Sequence, residues 1–241
     1  MGKVIAVCAM KGGVGKSSLA VNLAHGMAVK GLRTLIWDID AQGAVAFLLG
    51  VAAADGLARK LFTKGRDVGG YIVPTNWPDL DLIAADLSLR NLESDLAEDS
   101  PKRLRKMLDL LRQDYDRVIL DCPPGLSGIS DQIFRAADLL VVPVVPAPLS
   151  FRVLDKMLEY VEETRGPKAP IALPVLSMVD RRKVLHRQMA DSAPDWPSIP
   201  HSSTIESMGV KRAPVGEYAK RSAAAKALAQ VLARVEAVVG G

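Results

Sequence analysis

The ten residues AMKGGVGKSS, Ala9 to Ser18, limit the fold of this chain more than any other stretch. Gly12, Gly13 and Gly15 let successive backbone N–H groups turn toward one anion, and a helix starting just after them adds its partial positive charge. The stretch departs from the usual G-x-x-x-x-G-K-[ST] pattern at its first position. Met10 stands where the first glycine belongs, and a second lysine, Lys11, follows it. Lys16 is expected to reach the β- and γ-phosphates, and Ser17 to hold Mg²⁺ through its hydroxyl. Such a loop works between a strand and a helix. Lys3 to Ala9 supplies an apolar run before it, and Ala20, Leu23, Ala24, Met27 and Ala28 recur at helical spacing after it, within Ser17 to Lys30.

The same alternation continues along the chain. Apolar runs at Thr34 to Trp37, Leu80 to Ala84, Arg117 to Leu120, Leu139 to Val144 and Ile171 to Met178 read as strands. Helices are expected at Leu87 to Leu96, Pro101 to Asp114, Ser150 to Thr164, Arg181 to Asp191 and Ser222 to Val239. This predicts an α/β fold, a mostly parallel twisted sheet with helices on both faces. Gly50 to Pro78 shows no clean period. No repeat, low-complexity tract or linker divides the chain, so one domain over residues 1–241 is expected, long enough for a single large core.

Two strand ends carry acid. Val118, Ile119 and Leu120 lead to Asp121 at the carboxyl end of a strand, where ligands of open α/β sheets sit. In WDIDAQG, alternation along an extended strand would put Asp38 and Asp40 on one side, near a metal and polyphosphate.

Other features exclude function classes. The longest apolar stretches, such as Leu139 to Pro148, fall far short of the roughly 20 residues a membrane-spanning helix needs. The N-terminal run leads into the glycine loop without a cleavage-like site, so a soluble cytoplasmic protein is expected. Cys8 and Cys122 form no C-x-x-C pair and are expected to be reduced and packed beside the loop. The net charge is only +4, but Asp180 to Arg234 holds ten Lys or Arg against five Asp or Glu. That local surplus points to an anionic partner.

KGGVGKS at 11–17, DIDAQG at 38–43 and ILDCPPG at 119–125, followed by VVPVVPAPLS, SMVDRR at 177–182, IPHS at 199–202 and YAKRSAAAKAL at 218–228, together resemble the ParA/MinD family of ATPases. The resemblance is closest to the ParA-type partitioning proteins. It keeps the family's motif order, spans most of the chain and implies a P-loop fold with a deviant Walker A loop.

The resemblance also implies site roles. Lys11 would cross an ATP-bound dimer to the phosphates of the other subunit and stabilise charge there electrostatically. Gly12, Gly13, Val14, Gly15, Lys16, Ser17, Ser18 and Met178 would contact the nucleotide. Asp40 would position the attacking water, Asp38 would lie near the Mg²⁺ shell and Asp121 would hold the ion through water. Pro123, Pro124 and Gly125 match a switch segment that senses loss of the γ-phosphate. Slow hydrolysis would then alternate an ATP dimer that holds a surface with an ADP monomer that leaves it. Ala41 and Ala44 replace the proline and asparagine often found in D-x-D-P-Q-G-N, which puts the hydrolysis rate in question.

The surface implied is nonspecific DNA, contacted by Arg181, Arg182, Lys211, Arg212, Lys220 and Arg221, with Lys183, Arg187 and Lys226 nearby. IPHSSTIES carries His201 and Thr204 in place of the arginines often found after the proline. A nucleoid-associated ATPase that positions a plasmid, chromosome or large complex, stimulated by an adaptor near Gly125 to Phe134 and the helix after Pro148, is the leading expectation. The alternatives are a MinD-like membrane-associated ATPase and a small-molecule kinase or synthetase. Against the membrane alternative, Leu228, Val231, Leu232, Val235 and Val238 form a seam suited to docking on the core, with few basic residues and no Trp or Phe.

Overall fold

The computed structural model describes residues 1–52, 56–64, 68–91, 102–126 and 128–240. Strand β1 (Lys3–Val7) has no solvent face: Val4 and Ala6 lie in one apolar cluster, Ile5 and Val7 in the other. Such a strand is stable only where helices cover both sides, the condition of a central parallel strand.

The other strands are β2 (Thr34–Asp38), β3 (Ile72–Pro74), β4 (Leu80–Ile83), β5 (Arg117–Asp121), β6 (Leu139–Val144), β7 (Ile171–Val179) and β8 (Ser198–Pro200). They form an 8-stranded sheet in the order β3-β4-β2-β5-β1-β6-β7-β8. The β3–β4 pair at one edge is antiparallel, and the remaining pairs are parallel. The register sets Val7 beside Asp121 and Asp38 beside the same Asp121, so the carboxyl ends of β1, β5 and β2 finish level.

Among the described residues the helices of more than one turn are α1 (Lys16–Val29), α2 (Ala44–Leu48), α3 (Ala58–Lys64), α4 (Arg103–Asp114), α5 (Gly128–Ala136), α6 (Pro148–Arg165), α7 (Val184–Asp191) and α8 (Ala223–Val239). Three one-turn helices, Ser203–Glu206, Met208–Lys211 and Val215–Tyr218, lead into α8. One face of the sheet is covered by α4, α5 and α6 through Leu108, Ile133, Phe134 and Leu154. The other is covered by α1 and α8 through Leu23, Met27, Val231 and Val235.

Helix α1 is buried nearly all round because it lies between the sheet and α8. Even polar Asn22 is internal there, its amide bonding Ser18 O at 2.7 Å and the Val215 N–H at 2.9 Å.

The predicted final helix docks on the core as its seam requires. The Ser222 hydroxyl caps it by accepting from the Ala225 N–H at 3.0 Å, and Arg117 grips Glu236 through two N–H···O contacts of 2.9 and 2.7 Å. Gly26 lets α1 and α8 touch, since a Cβ there would stand 2.7 Å from Leu232 Cδ2.

Three sequence expectations are corrected. Leu87 to Leu96 is not an α-helix at its start: Leu87–Asn91 is a 3-10 turn held by Asp86, which accepts from the Ser88 N–H at 2.7 Å and the Ala58 N–H at 3.0 Å. The remainder of that expectation, and Pro101, lie outside the described residues. Helix α7 begins at Val184 rather than Arg181, because Asp180 captures the Arg182 N–H at 3.1 Å and Lys183 is extended. Gly50 to Pro78 holds α3 and β3, and α2, α5, β8 and the one-turn helices were also unforeseen.

Candidate nucleotide site

The glycine loop lies at the carboxyl end of β1. Gly13 (φ 73°) and Gly15 (φ 88°) adopt the left-handed backbone that strains any side chain. A Cβ on Gly12 or Gly13 would meet nothing within 4 Å, so the cradle is open on that side. Met10 needs no such backbone; its side chain packs on the cluster under α4 to α6, which is why a methionine is accepted where the motif usually has glycine. Helix α1 starts with its N–H groups toward the loop and no acidic residue in its first turn, leaving its positive end for an anion. Lys16 is buried beside the loop.

Asp121 is the most informative group. It is fully buried, and neither carboxylate oxygen has a hydrogen-bond partner among the described residues. Burial pushes its carboxyl up to about 7. The nearby Ser17 hydroxyl and Lys16 ammonium pull it down without closing a bond of ordinary geometry. A buried orphan carboxylate is costly and calls for a cation. Paired with the Ser17 hydroxyl, it fits a hard divalent ion that prefers oxygen ligands.

Asp38 differs. Both of its oxygens are engaged, accepting the Asp40 N–H and the Val45 N–H at 3.0 Å each. Burial first, and Asp121 second, hold its carboxyl well above the ordinary range. Its direct task is to fix the turn into α2.

The strand-alternation argument for Asp38 and Asp40 fails, because β2 ends at Asp38 and Asp40 lies in that turn. Asp40 is half-buried and accepts the Gln42 N–H at 3.0 Å. The Asp38 tether, rather than the pleat of a strand, brings Asp40 to the site.

Backbone bonds join the loops. Ile39 N–H donates to Asp121 O at 2.9 Å, and Gly125 N–H, after Pro123 and Pro124, donates to Ala9 O at 3.2 Å. Ser130 then donates to Gly125 O at 3.2 Å, carrying the link into α5. The segments carrying Lys16, Asp40 and Gly125 therefore share one hydrogen-bonded frame.

A cavity of about 230 Å³ continues from Gly15 and Ser18, walled by Met178, Pro200, Ile205 and Leu48, with His201 and Glu206 (3.4 Å apart) among its polar lining. Met178, predicted to contact nucleotide, is in this wall with a left-handed backbone (φ 57°). Ser177, within the SMVDRR motif but with no role expected from the sequence, donates its hydroxyl to Val14 O at 2.8 Å. Lys11 is half-buried and borders a small apolar cleft with Val144, Leu154 and Met157. Cys8 and Cys122 are buried free thiols, and burial raises both, Cys8 to about 12. They act as packing groups rather than nucleophiles.

The predicted basic residues are exposed but not equivalent. Arg182 is engaged by Asp180 through two 2.9 Å bonds, and Arg187 is turned to the Arg181 carbonyl at 2.7 Å. Arg212 has a left-handed backbone and stacks its guanidinium 4.9 Å from the Phe47 ring centroid. Lys211, Lys220 and Arg221 complete the set on the one-turn helices and the loop before α8.

Residues 2–170 match the AAA domain family. The chain is 33% identical over 197 residues to the chromosome partitioning protein ParA of Caulobacter vibrioides, covering 78% of this chain and 74% of that one. Its fold superposes on the cell division ATPase MinD of Pyrococcus furiosus with a TM-score of 0.81, at 21% identity, covering 99% of this chain and 100% of that one. Cobyrinic acid a,c-diamide synthase from Mycobacterium smegmatis, solved with a bound ATP analog and magnesium, gives a TM-score of 0.81 at 25% identity, covering 98% and 94%.

Proposed function

The chain belongs to the ParA/MinD family of P-loop ATPases, and on that premise we propose that it is a positioning ATPase whose ATP-bound dimer holds nonspecific DNA and whose slow hydrolysis releases it. ATP and Mg²⁺ are its cofactors. The observation that carries the reading is the open glycine cradle beside buried Asp121, which has no hydrogen-bond partner among the described residues.

Ser17 and Asp121 would hold Mg²⁺, which supplies charge neutralisation on the phosphate oxygens. Lys16 and the loop N–H groups bind and orient the triphosphate, Lys16 adding a fixed cation in a dry site. Asp38 holds the Asp40 turn in place, and Asp40 orients the attacking water once its carboxylate leaves the Gln42 N–H. Lys11 reaches the phosphates of a second copy, so nucleotide binding and dimerisation become one linked equilibrium. Gly125, bonded to Ala9, carries the loss of the γ-phosphate to α5 and an adaptor.

Sedimentation of wild type, Lys11→Ala, Lys16→Ala and Asp40→Ala with ADP and with ATP tests this, followed by DNA binding on the same samples. Asp40→Ala accumulates as an ATP dimer that binds DNA. Lys16→Ala loses productive nucleotide binding, and Lys11→Ala binds ADP but does not assemble. ATP-dependent dimers of Lys11→Ala equal to wild type would remove the role given to that lysine.

The likeness to cobyrinic acid a,c-diamide synthase favours one second reading, an ATP-dependent synthetase. Phosphate transfer to a metabolite in a coupled screen would select it. The membrane reading is weakened, because the α8 seam it would need is occupied by α1 and the sheet.

A further inference from the structure

Ser177 sits in the carboxyl-terminal part of β7, two residues before its end at Val179 and remote in sequence from the glycine loop, yet its buried hydroxyl donates to the carbonyl of Val14 at 2.8 Å. That carbonyl shares a peptide with the Gly15 N–H, and in a trans peptide the two groups point in opposite directions. Anchoring Val14 O on β7 therefore turns the Gly15 N–H away from β7.

The two segments are in ordinary van der Waals contact. A Cβ on Gly15 would stand 3.4 Å from Ser177 Oγ and 3.7 Å from Met178 Cε, and Gly15 is itself left-handed at φ 88°. Directly after Ser177, Met178 holds a left-handed backbone at φ 57°, a conformation that persists only where surroundings impose it. The carboxyl-terminal part of β7 is thus a fixed post against which a flexible glycine peptide is set.

We propose that Ser177 is a positioning residue for phosphate binding: its hydroxyl fixes the Val14–Gly15 peptide so that the Gly15 N–H is ready to donate to a bound pyrophosphate group. The inference rests on the nucleotide reading above. Without the hydroxyl, Val14 O loses its buried donor and the glycine peptide is free to rotate, so the loop must be ordered when ligand arrives.

Isothermal titration of the full chain with MgADP and separately with magnesium pyrophosphate, in wild type, Ser177→Ala and Ser177→Thr, tests this. Ser177→Ala is expected to bind both ligands about tenfold more weakly, the scale of one hydrogen bond. Ser177→Thr, which keeps the hydroxyl, is expected to bind both as wild type does. Wild-type affinity in Ser177→Ala overturns the proposal, and so does equal weakening in both variants, which would assign the effect to packing. A loss seen with MgADP but not with pyrophosphate also overturns it, because the role would then lie with the nucleoside. Wild type binding neither ligand would remove the nucleotide reading itself, a result distinct from the other three.

Discussion

Asp121 shows how one residue can be placed against folding and in favour of binding. Its carboxylate is fully buried without a hydrogen-bond partner among the described residues, next to Asp38, whose own carboxylate is raised by burial. Two adjacent buried carboxylates destabilise a metal-free chain, since nearby Lys16 offsets only part of their desolvation and mutual repulsion. Asp121→Asn is therefore expected to raise the thermal midpoint of the nucleotide-free protein, in chelator, by about 2–6 °C, while shrinking the further rise that MgADP gives wild type. Calorimetric scans of both proteins with and without MgADP check this. A lower midpoint for the variant in chelator would mean that Asp121 has a structural partner.

Among the elements, the one-turn helix Val215–Tyr218 has a pH-dependent fastening. His25, buried on α1, meets Glu217 at 2.9 Å and stands edge-on to Trp77, with ring centroids 6.0 Å apart. Burial lowers its pKa below the usual 6.5, helped by Lys220 and opposed by Glu217. The folded state therefore takes up a proton less readily than the unfolded chain. The stability from neutral His25 is complete above pH 6.5 and is lost as pH falls below that value toward the depressed folded pKa. Urea midpoints measured between pH 7.5 and 5.5 should fall more in wild type than in His25→Gln. Parallel curves would show that His25 titrates normally.

At the scale of the whole molecule, the basic surplus between Asp180 and Arg234 is the basis for the DNA reading, and its charges differ in availability. Arg182 is already paired with Asp180, whereas Lys220 is exposed on the loop before α8. For the ATP-bound protein, Lys220→Ala should lower the slope of log affinity against log salt by about 1. Arg182→Ala should change it less, because Asp180 already offsets that charge. Equal slope losses would mean that Arg182 leaves Asp180 on binding, and DNA binding with no salt slope would sink the DNA reading.

Local chemistry made much of this protein legible. The glycine pattern, the Lys16-Ser17 pair and the apolar run ending at Asp121 mark a strand, a glycine loop at a helix start and a buried carboxylate at a strand end, because each depends on residue type at short spacing. Continuous apolar runs and a period-3.6 pattern likewise gave the central strands and the seam of α8. The tertiary structure alone decided that Asp38 is a tether rather than a free ligand, that Asp40 reaches the site through a turn, and that α7 starts after an Asp180–Arg182 clasp. It also decided that Ser177 meets Val14, a contact 163 residues apart in sequence. Hydrogen-bond partners across such distances are set by sheet register and strand order, and no local period in the sequence encodes them.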